Sequence, residues 1–174
     1  MQIAKSSGNL ILNTQDSGVS IEVSKNAENL VIDVKYDVKI EKIERPGEFE
    51  IGGVEVVGRE LGVEVKKGLL NTAFFNLDGV KVLYVSNVNE DLYEWVKTLA
   101  FVDLLVITFT DNLKEITNKI DPSKVILFGT ELDEAGIKKM GVTQVEKAKQ
   151  FKFKESDFET LEDENKTAEV LSLN

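Results

Sequence analysis

The period of the apolar pattern changes near residue 88, and this change constrains the fold more than any other feature. Before it, short runs rich in β-branched residues, such as 30–34 and 80–85, are separated by polar or Gly-containing turns. After it, Leu92, Trp95 and Leu99 recur at helical spacing, and the continuous apolar run 104–107 follows. The sequence therefore predicts a β-rich N-terminal half and a βαβα C-terminal half.

Individual elements follow from the same patterns. Strands are predicted at 10–12, 19–23, 30–34, 38–43, 49–51, 54–57, 73–77, 80–85, 104–107, 125–128, 142–145, 151–153 and 168–173. Helices are predicted from Asn89 or Asp91, from Asp111 or Asn112 through Lys119, and over 131–140, which Gly141 closes. Short strand–helix–strand connections between 80 and 128 favour right-handed crossovers and a parallel sheet. We expect one α/β domain covering residues 1–174.

The composition excludes several kinds of catalytic site. The chain has 174 residues and contains neither His nor Cys. Thiolate nucleophiles, Ser-His-Asp triads, zinc fingers, iron–sulfur clusters and His-based proton transfer are therefore excluded.

The charge distribution argues against two classes of partner. The chain has 31 acidic and 21 basic side chains, and its net charge is −10. Residues 155–169 hold seven acids and one Lys, so this segment alone supplies −6 and is expected to be a solubilising loop. An acidic chain repels phosphate backbones, which argues against nucleic-acid binding. No run approaches 18 consecutive apolar residues and no signal peptide is recognisable, so we expect a cytoplasmic protein without a membrane partner.

Four stretches, in order along the chain, carry a resemblance to a known family. Segment 45–56 reads RPGEFEIGGVEV, and segment 71–87 runs from NTAFF through DGVKVLYVSN. The other two are VDLLV at 102–106 and IDPSKVILFG at 120–129, and the tail 151–173 fits the family's closing strands. Together they resemble the compact, ascorbate-phosphate-lactonase-like branch of the metallo-β-lactamase superfamily. The resemblance implies an αββα sandwich, shortened here by loss of helices or loops in the N-terminal half.

The family's metal site is usually built from a His-x-His-x-Asp-His motif and further His and Asp residues at one edge of the sandwich. The segment that best matches this motif is 33–38, in which only the Asp is retained. Other ligand positions hold Tyr84, Asn87 and Gly129. A Lys within a two-metal site would repel the ions. The resemblance therefore implies a vestigial cleft with no metal, no cofactor and no catalytic residue; its members are Asp33, Lys35, Asp37, Tyr84, Ser86, Asn87 and Gly129.

We therefore expect a non-catalytic protein that works through binding or assembly. Sheet surface exposed by the lost helices could be covered by a second subunit, which predicts a homo-oligomer.

Two enzymatic alternatives stay open. Asp33 and Asp37, with Glu48 or Glu50, could form an all-oxygen site for Mg²⁺, Mn²⁺ or Ca²⁺ in a hydrolase. Glu48 and Glu50 could also act as an acid–base pair, because alternation puts both on one side of a strand. The simpler interpretation of all four carboxylates is a solvated sheet surface.

A third alternative is a small-molecule binding module. Tyr84, Ser86 and Asn87 follow a strand whose carboxyl end is a usual ligand position in such sheets. Thr108, Thr110 and Thr130 are expected at the ends of neighbouring strands.

Overall fold

The computed structural model describes residues 1–26, 29–61, 68–108, 111–142, 144–158 and 168–173. The strands in these ranges are β1 Gln2–Ser6, β2 Asn9–Asn13, β3 Ser20–Asn26, β4 Asn29–Tyr36, β5 Lys39–Ile43, β6 Gly47–Ile51, β7 Val54–Arg59, β8 Thr72–Leu77, β9 Val80–Val85, β10 Leu104–Ile107, β11 Lys124–Phe128, β12 Glu146–Ala148, β13 Gln150–Lys152 and β14 Glu169–Leu173. The helices are α1 Glu90–Val96, α2 Leu113–Ile120 and α3 Glu134–Met140, and Glu155–Asp157 forms one 3₁₀ turn. None of these helices is long and apolar enough to cross a membrane.

The strands form two sheets, and the chain passes from the first to the second between β5 and β6. The first sheet has the order β13-β1-β2-β3-β4-β5, in which β1 to β5 form an antiparallel meander. The second has the order β12-β14-β11-β10-β9-β8-β7-β6. In it β9, β10 and β11 run parallel, as the sequence predicted, whereas β6 to β9 are antiparallel.

Apolar side chains divide into two layers according to the alternation of each strand. In β9, Val82 and Tyr84 point into the core between the sheets, whereas Leu83 and Val85 point toward the helices. This double burial explains the nearly continuous apolar sequence of β9, β10 and β11. The first sheet buries only its inner face, so β2 and β3 alternate buried and partly exposed residues.

The described residues form three layers, β, β and α, whereas a complete αββα sandwich would add a helical layer over the first sheet. Leu92, Leu113, Ile116 and Met140, from all three helices, pack with the outer face of the second sheet. No described residue on the outer face of the first sheet belongs to a helix. Polar side chains of described residues, among them Glu22, Asp33 and Lys35, lie on that face, together with the exposed Ile40.

The capping predictions were correct for Asn89 and Gly141, whereas the side chain of Asn112, the residue before α2, makes no capping hydrogen bond. The side chain of Asn89 accepts a hydrogen bond from Leu92 N at 2.9 Å and begins α1. Gly141 adopts φ +73° and closes α3, which begins after Asp133 and not at Glu131.

β1 was not among the predicted strands, and the bounds of the closing strands differ from the predicted ones. β1 lies between β2 and β13, and its pairing with β13 brings the C-terminal part of the chain into the first sheet. The strand predicted at 142–145 lies instead at 146–148. These short strands carry little periodicity of their own, so their bounds are set by pairing across the sheet.

That residues 1–174 make one domain stays a prediction.

Asp103 is a buried carboxylate at the amino ends of the parallel strands. Its Oδ2 accepts a hydrogen bond from Lys81 N at 2.8 Å, and its backbone bonds to Lys81 O and Lys124 N, each at 3.0 Å. One residue therefore joins the starts of β9, β10 and β11. Burial raises the pKa of the Asp103 carboxyl above its ordinary value, although the bond from Lys81 N–H opposes that shift.

We predict that Asp103→Ala lowers the free energy of unfolding by about 1–3 kcal/mol, because Lys81 N–H loses its buried acceptor. Asp103→Asn keeps an oxygen acceptor and should cost less. Since the folded-state pKa is raised, wild type should lose stability relative to Asp103→Asn as the pH rises from about 4 to about 7. Urea unfolding at both pH values measures this difference. A difference that does not change with pH would contradict the prediction.

Candidate functional site

A cleft of 460 Å³ lies at the carboxyl ends of β9 and β10. In open α/β sheets this edge is the usual ligand position. Its walls come from the segment after β9, the start of α1 and the start of α2; the lining residues are Ser86, Asn87, Val88, Asn89, Glu90, Tyr93, Asp111, Asn112, Glu115 and Ile116. Two residues of the predicted cleft, Ser86 and Asn87, are therefore found in it.

The Ser86 hydroxyl and the Asn87 side-chain oxygen are hydrogen-bonded to backbone atoms of the protein. Ser86 Oγ donates to the carbonyl of Asn71 at 2.7 Å, and Asn87 Oδ1 accepts from Val88 N at 2.9 Å. Asn71 is itself buried, and its side-chain amide bonds to both Leu61 N and Leu61 O. The Ser86 hydroxyl thus helps to join β9 to the segment before β8, and no general base contacts it.

Tyr84 does not line the cleft. Its side chain is 3% exposed and packs in the apolar layer between the two sheets. Burial raises its pKa to about 12. Tyr84 is therefore a neutral core residue at neutral pH.

The ends of the neighbouring strands add little chemistry. Gly129 follows β11 with φ +68°, and its N–H donates to Leu173 O at 3.3 Å. A Cβ at Gly129 would lie 4.0 Å from Lys5 Nζ. Thr108 and Thr130 are partly exposed, and Thr110 lies outside the described residues.

A wider groove of 1130 Å³ between α2 and α3 shares Asp111, Asn112 and Glu115 with the cleft. Lys119 lies beside both spaces: its Nζ is 3.0 Å from Glu115, 3.9 Å from Glu90 and 4.1 Å from the centre of the Tyr93 ring. The hydrogen bond from Lys119 to Glu115 raises the pKa of the ammonium. The sequence analysis assigned Asp111 and Asn112 only as helix caps, because no motif marks them as lining residues.

The other predicted cleft residues lie elsewhere. Lys35 Nζ on β4 is 2.7 Å from Glu22 Oε2 on β3, and this bond lowers the pKa of Glu22 and raises that of Lys35. Asp33 is opposite Glu22 and Lys42 in the same sheet, and its buried Oδ1 has no hydrogen-bond partner among the described residues. Asp37 is exposed in the β4–β5 turn with φ +51°.

Strand direction separates Asp37 from Ser86. β4 begins where Leu30 N bonds to Leu70 O, just before Thr72, and Thr72 pairs with Val85 at the carboxyl end of β9. β4 ends at Tyr36, which lies next to Gly52: a Cβ added to Gly52 would be 3.0 Å from the Tyr36 Cβ. Gly52 is in the β6–β7 turn, at the amino end of β9. Eight residues of strand, roughly 25 Å long, separate these two edges. The expected single cleft is thus divided between two places.

Glu48 and Glu50 lie in a third place, on edge strand β6, and line a 680 Å³ groove. Glu48 Oε1 is 2.6 Å from Arg59 Nη2, and both glutamates are exposed. They share one side of the strand as predicted, and the ion pair with Arg59 engages Glu48 alone of the two.

The whole-chain comparison reveals the fold. A crystal structure from Thermotoga maritima, described as a proposed Zn-dependent hydrolase of the metallo-β-lactamase superfamily, aligns with a TM-score of 0.60 and 15% identity. The alignment covers 98% of this chain and 97% of the other. This chain has the metallo-β-lactamase fold. No protein-family model and no curated protein matches it.

The residues present do not fit the zinc site that the metallo-β-lactamase fold implies. Zinc prefers His nitrogen and Cys sulfur, and this chain has neither residue. At the expected edge, Tyr84 is in the core, the Ser86 hydroxyl is bonded to Asn71 and Gly129 has no side chain. Among the described residues, no group of three or more Asp or Glu side chains is arranged to hold a metal ion.

We predict that the Tyr84 phenol ionises near pH 12 in an absorbance titration of the phenolate. The raised folded-state pKa means that neutral Tyr84 contributes stability below pH 10, and this contribution is lost as the pH rises toward about 12. Tyr84→Phe should remove the late phase and leave the rest of the titration unchanged. A late phase that persists in Tyr84→Phe would contradict the assignment.

Proposed function

We propose that the protein is a non-catalytic form of the metallo-β-lactamase fold that acts through binding or assembly. One observation carries the proposal: the polar groups at the family's ligand edge have structural partners. The Ser86 hydroxyl bonds to the Asn71 carbonyl, and Tyr84 fills the core. Side chains committed to packing in this way are poorly suited to activate water or a metal ion.

The electrostatics of the other predicted residues support the same proposal. A Lys ammonium in a hydrogen bond with Glu22 occupies the middle of the 33–38 segment, where the family would supply a second His. A positive charge at this position opposes the binding of a dication beside Asp33 or Asp37.

The test is a hydrolysis screen with esters, lactones and phosphodiesters, together with elemental analysis of untagged protein purified without chelators. We expect rates equal to those of a heat-killed control and less than one metal ion per chain. Rates above the control that depend on a divalent ion would overturn the proposal. If Asp37→Ala then removed that activity without lowering the melting temperature, the hydrolase with a carboxylate site would be the better interpretation.

A second candidate is a small-molecule binding module, because the 460 Å³ cleft and the 1130 Å³ groove meet at Asp111, Asn112 and Glu115. Together they provide amide, carboxylate and ammonium groups beside one aromatic ring. Such a lining is suited to a small polar ligand with several hydrogen-bonding groups.

We predict that a thermal-shift screen of polar metabolites finds ligands whose stabilisation is lost in Asn87→Ala, since Asn87 is an exposed part of the cleft wall. Glu50→Ala, in the groove at the opposite edge, is the matched control and should keep the shift. Ligands that stabilise wild type and both variants equally would exclude this cleft as the binding site.

A further inference from the structure

Edge strand β5 is the most exposed apolar part of the described chain. Ile40 is 63% exposed and Val38, in the turn before β5, is 99% exposed, so they are two of the three exposed large apolar residues in the described ranges. β5 pairs with β4 on one side and has no described strand on the other. Both residues therefore lie at or beside a sheet edge that no described strand covers, which is called the free edge below.

The free edge offers backbone hydrogen-bonding groups at alternate residues. Tyr36 and Lys39 flank the two-residue β4–β5 turn, which makes them a hydrogen-bonded pair in an antiparallel hairpin. Alternation then directs the N–H and C=O groups of Ile40 and Lys42 away from β4. An added antiparallel strand would bond to these two residues.

The charges of β5 are self-complementary in one register. In a symmetric pair of antiparallel strands, the two-fold axis runs perpendicular to the sheet. Directly opposite residues must point to the same face, so the residue at the axis lies opposite its own copy. The axis can pass beside Ile40, Glu41 or Lys42 if at least three residues of β5 are to remain paired. The Glu41 and Lys42 centres set like charges directly opposite each other, which is destabilising. The Ile40 centre pairs Ile40 with Ile40 and sets Lys39 opposite Glu41 twice.

We propose that a second copy of this chain docks on β5, with the two strands antiparallel and centred on Ile40. The pairing covers the exposed Ile40 side chains and satisfies the outward backbone groups. Because a two-fold contact uses both free edges, the assembly closes at a dimer. Lysines on an edge strand discourage indiscriminate strand addition, and only a partner with Glu opposite Lys39 relieves that repulsion.

The interface is small, because few residues pair and the outer face of the first sheet is polar. Contacts below about 1,200 Å² in total are typically weak. The dimer should therefore form at micromolar or higher concentration, with wild type moving from monomer to dimer between about 5 and 500 μM.

Sedimentation of the full chain over this range tests the proposal by charge swapping. Glu41→Lys sets Lys opposite Lys twice and should weaken the dimer about tenfold or more, and Lys39→Glu should do the same by setting Glu opposite Glu. The double variant Lys39→Glu/Glu41→Lys restores both pairs and should recover the wild-type dissociation constant. Lys42→Ala, whose side chain would face Val38 of the second copy, is the matched control and should change the constant little.

A monomeric wild type at 500 μM, or single variants that dimerise as well as wild type, would overturn the proposal. Failure of the double variant to recover dimerisation would exclude the Ile40 register. Unchanged melting temperatures of dilute samples show that each variant is folded. The inference is independent of the proposed function, because hydrolysis by a monomer would refute that proposal and leave this one testable.

Discussion

Burial of apolar side chains between the two sheets is the interaction on which the rest of the structure depends. Residues from both ends of the chain meet there: Met1, Ile3, Phe151 and Phe153 lie in the same apolar layer as Phe75 and Val82 from the second sheet. The N-terminal ammonium donates to Phe153 O at 2.9 Å and lies 3.3 Å from Asp78 Oδ2. This layer fixes how the first sheet sits on the second, and therefore which strand ends are neighbours.

The positions of the candidate sites follow from that packing. Parallel strands β9 and β10 end together, so Ser86 and Asn87 meet the start of α2 in a polar cleft. β4 packs against the inner core and runs in the direction opposite to β9, so Asp37 lies at the other edge. A site that required Asp37 together with Ser86 and Asn87 would need residues from both edges, and this structure keeps those edges apart.

Much of the fold could be predicted because its signals are local. β9, β10 and β11 are nearly continuous apolar runs, and Asn89 and Gly141 mark helix ends. The alternation in β3 predicts that one face of this strand is exposed to solvent. The site was predicted less well. Ser86 and Asn87 were assigned correctly to a strand end, whereas Tyr84 was expected in the cleft and is in the core. Alternation along a strand shows that neighbouring residues point to opposite faces of the sheet, but it does not show which face is buried.

The sequence by itself determined the β-rich first half, the parallel strands of the second half and the exclusion of His- and Cys-based chemistry, because composition and periodicity are properties of the chain alone. Only the tertiary structure decided that the first sheet has no helices over its described outer face, that β13 joins β1 in that sheet, and that Asp33, Lys35 and Asp37 lie apart from Ser86. These features depend on pairing and packing between residues far apart in sequence. A local sequence pattern does not determine in which direction a strand runs within its sheet.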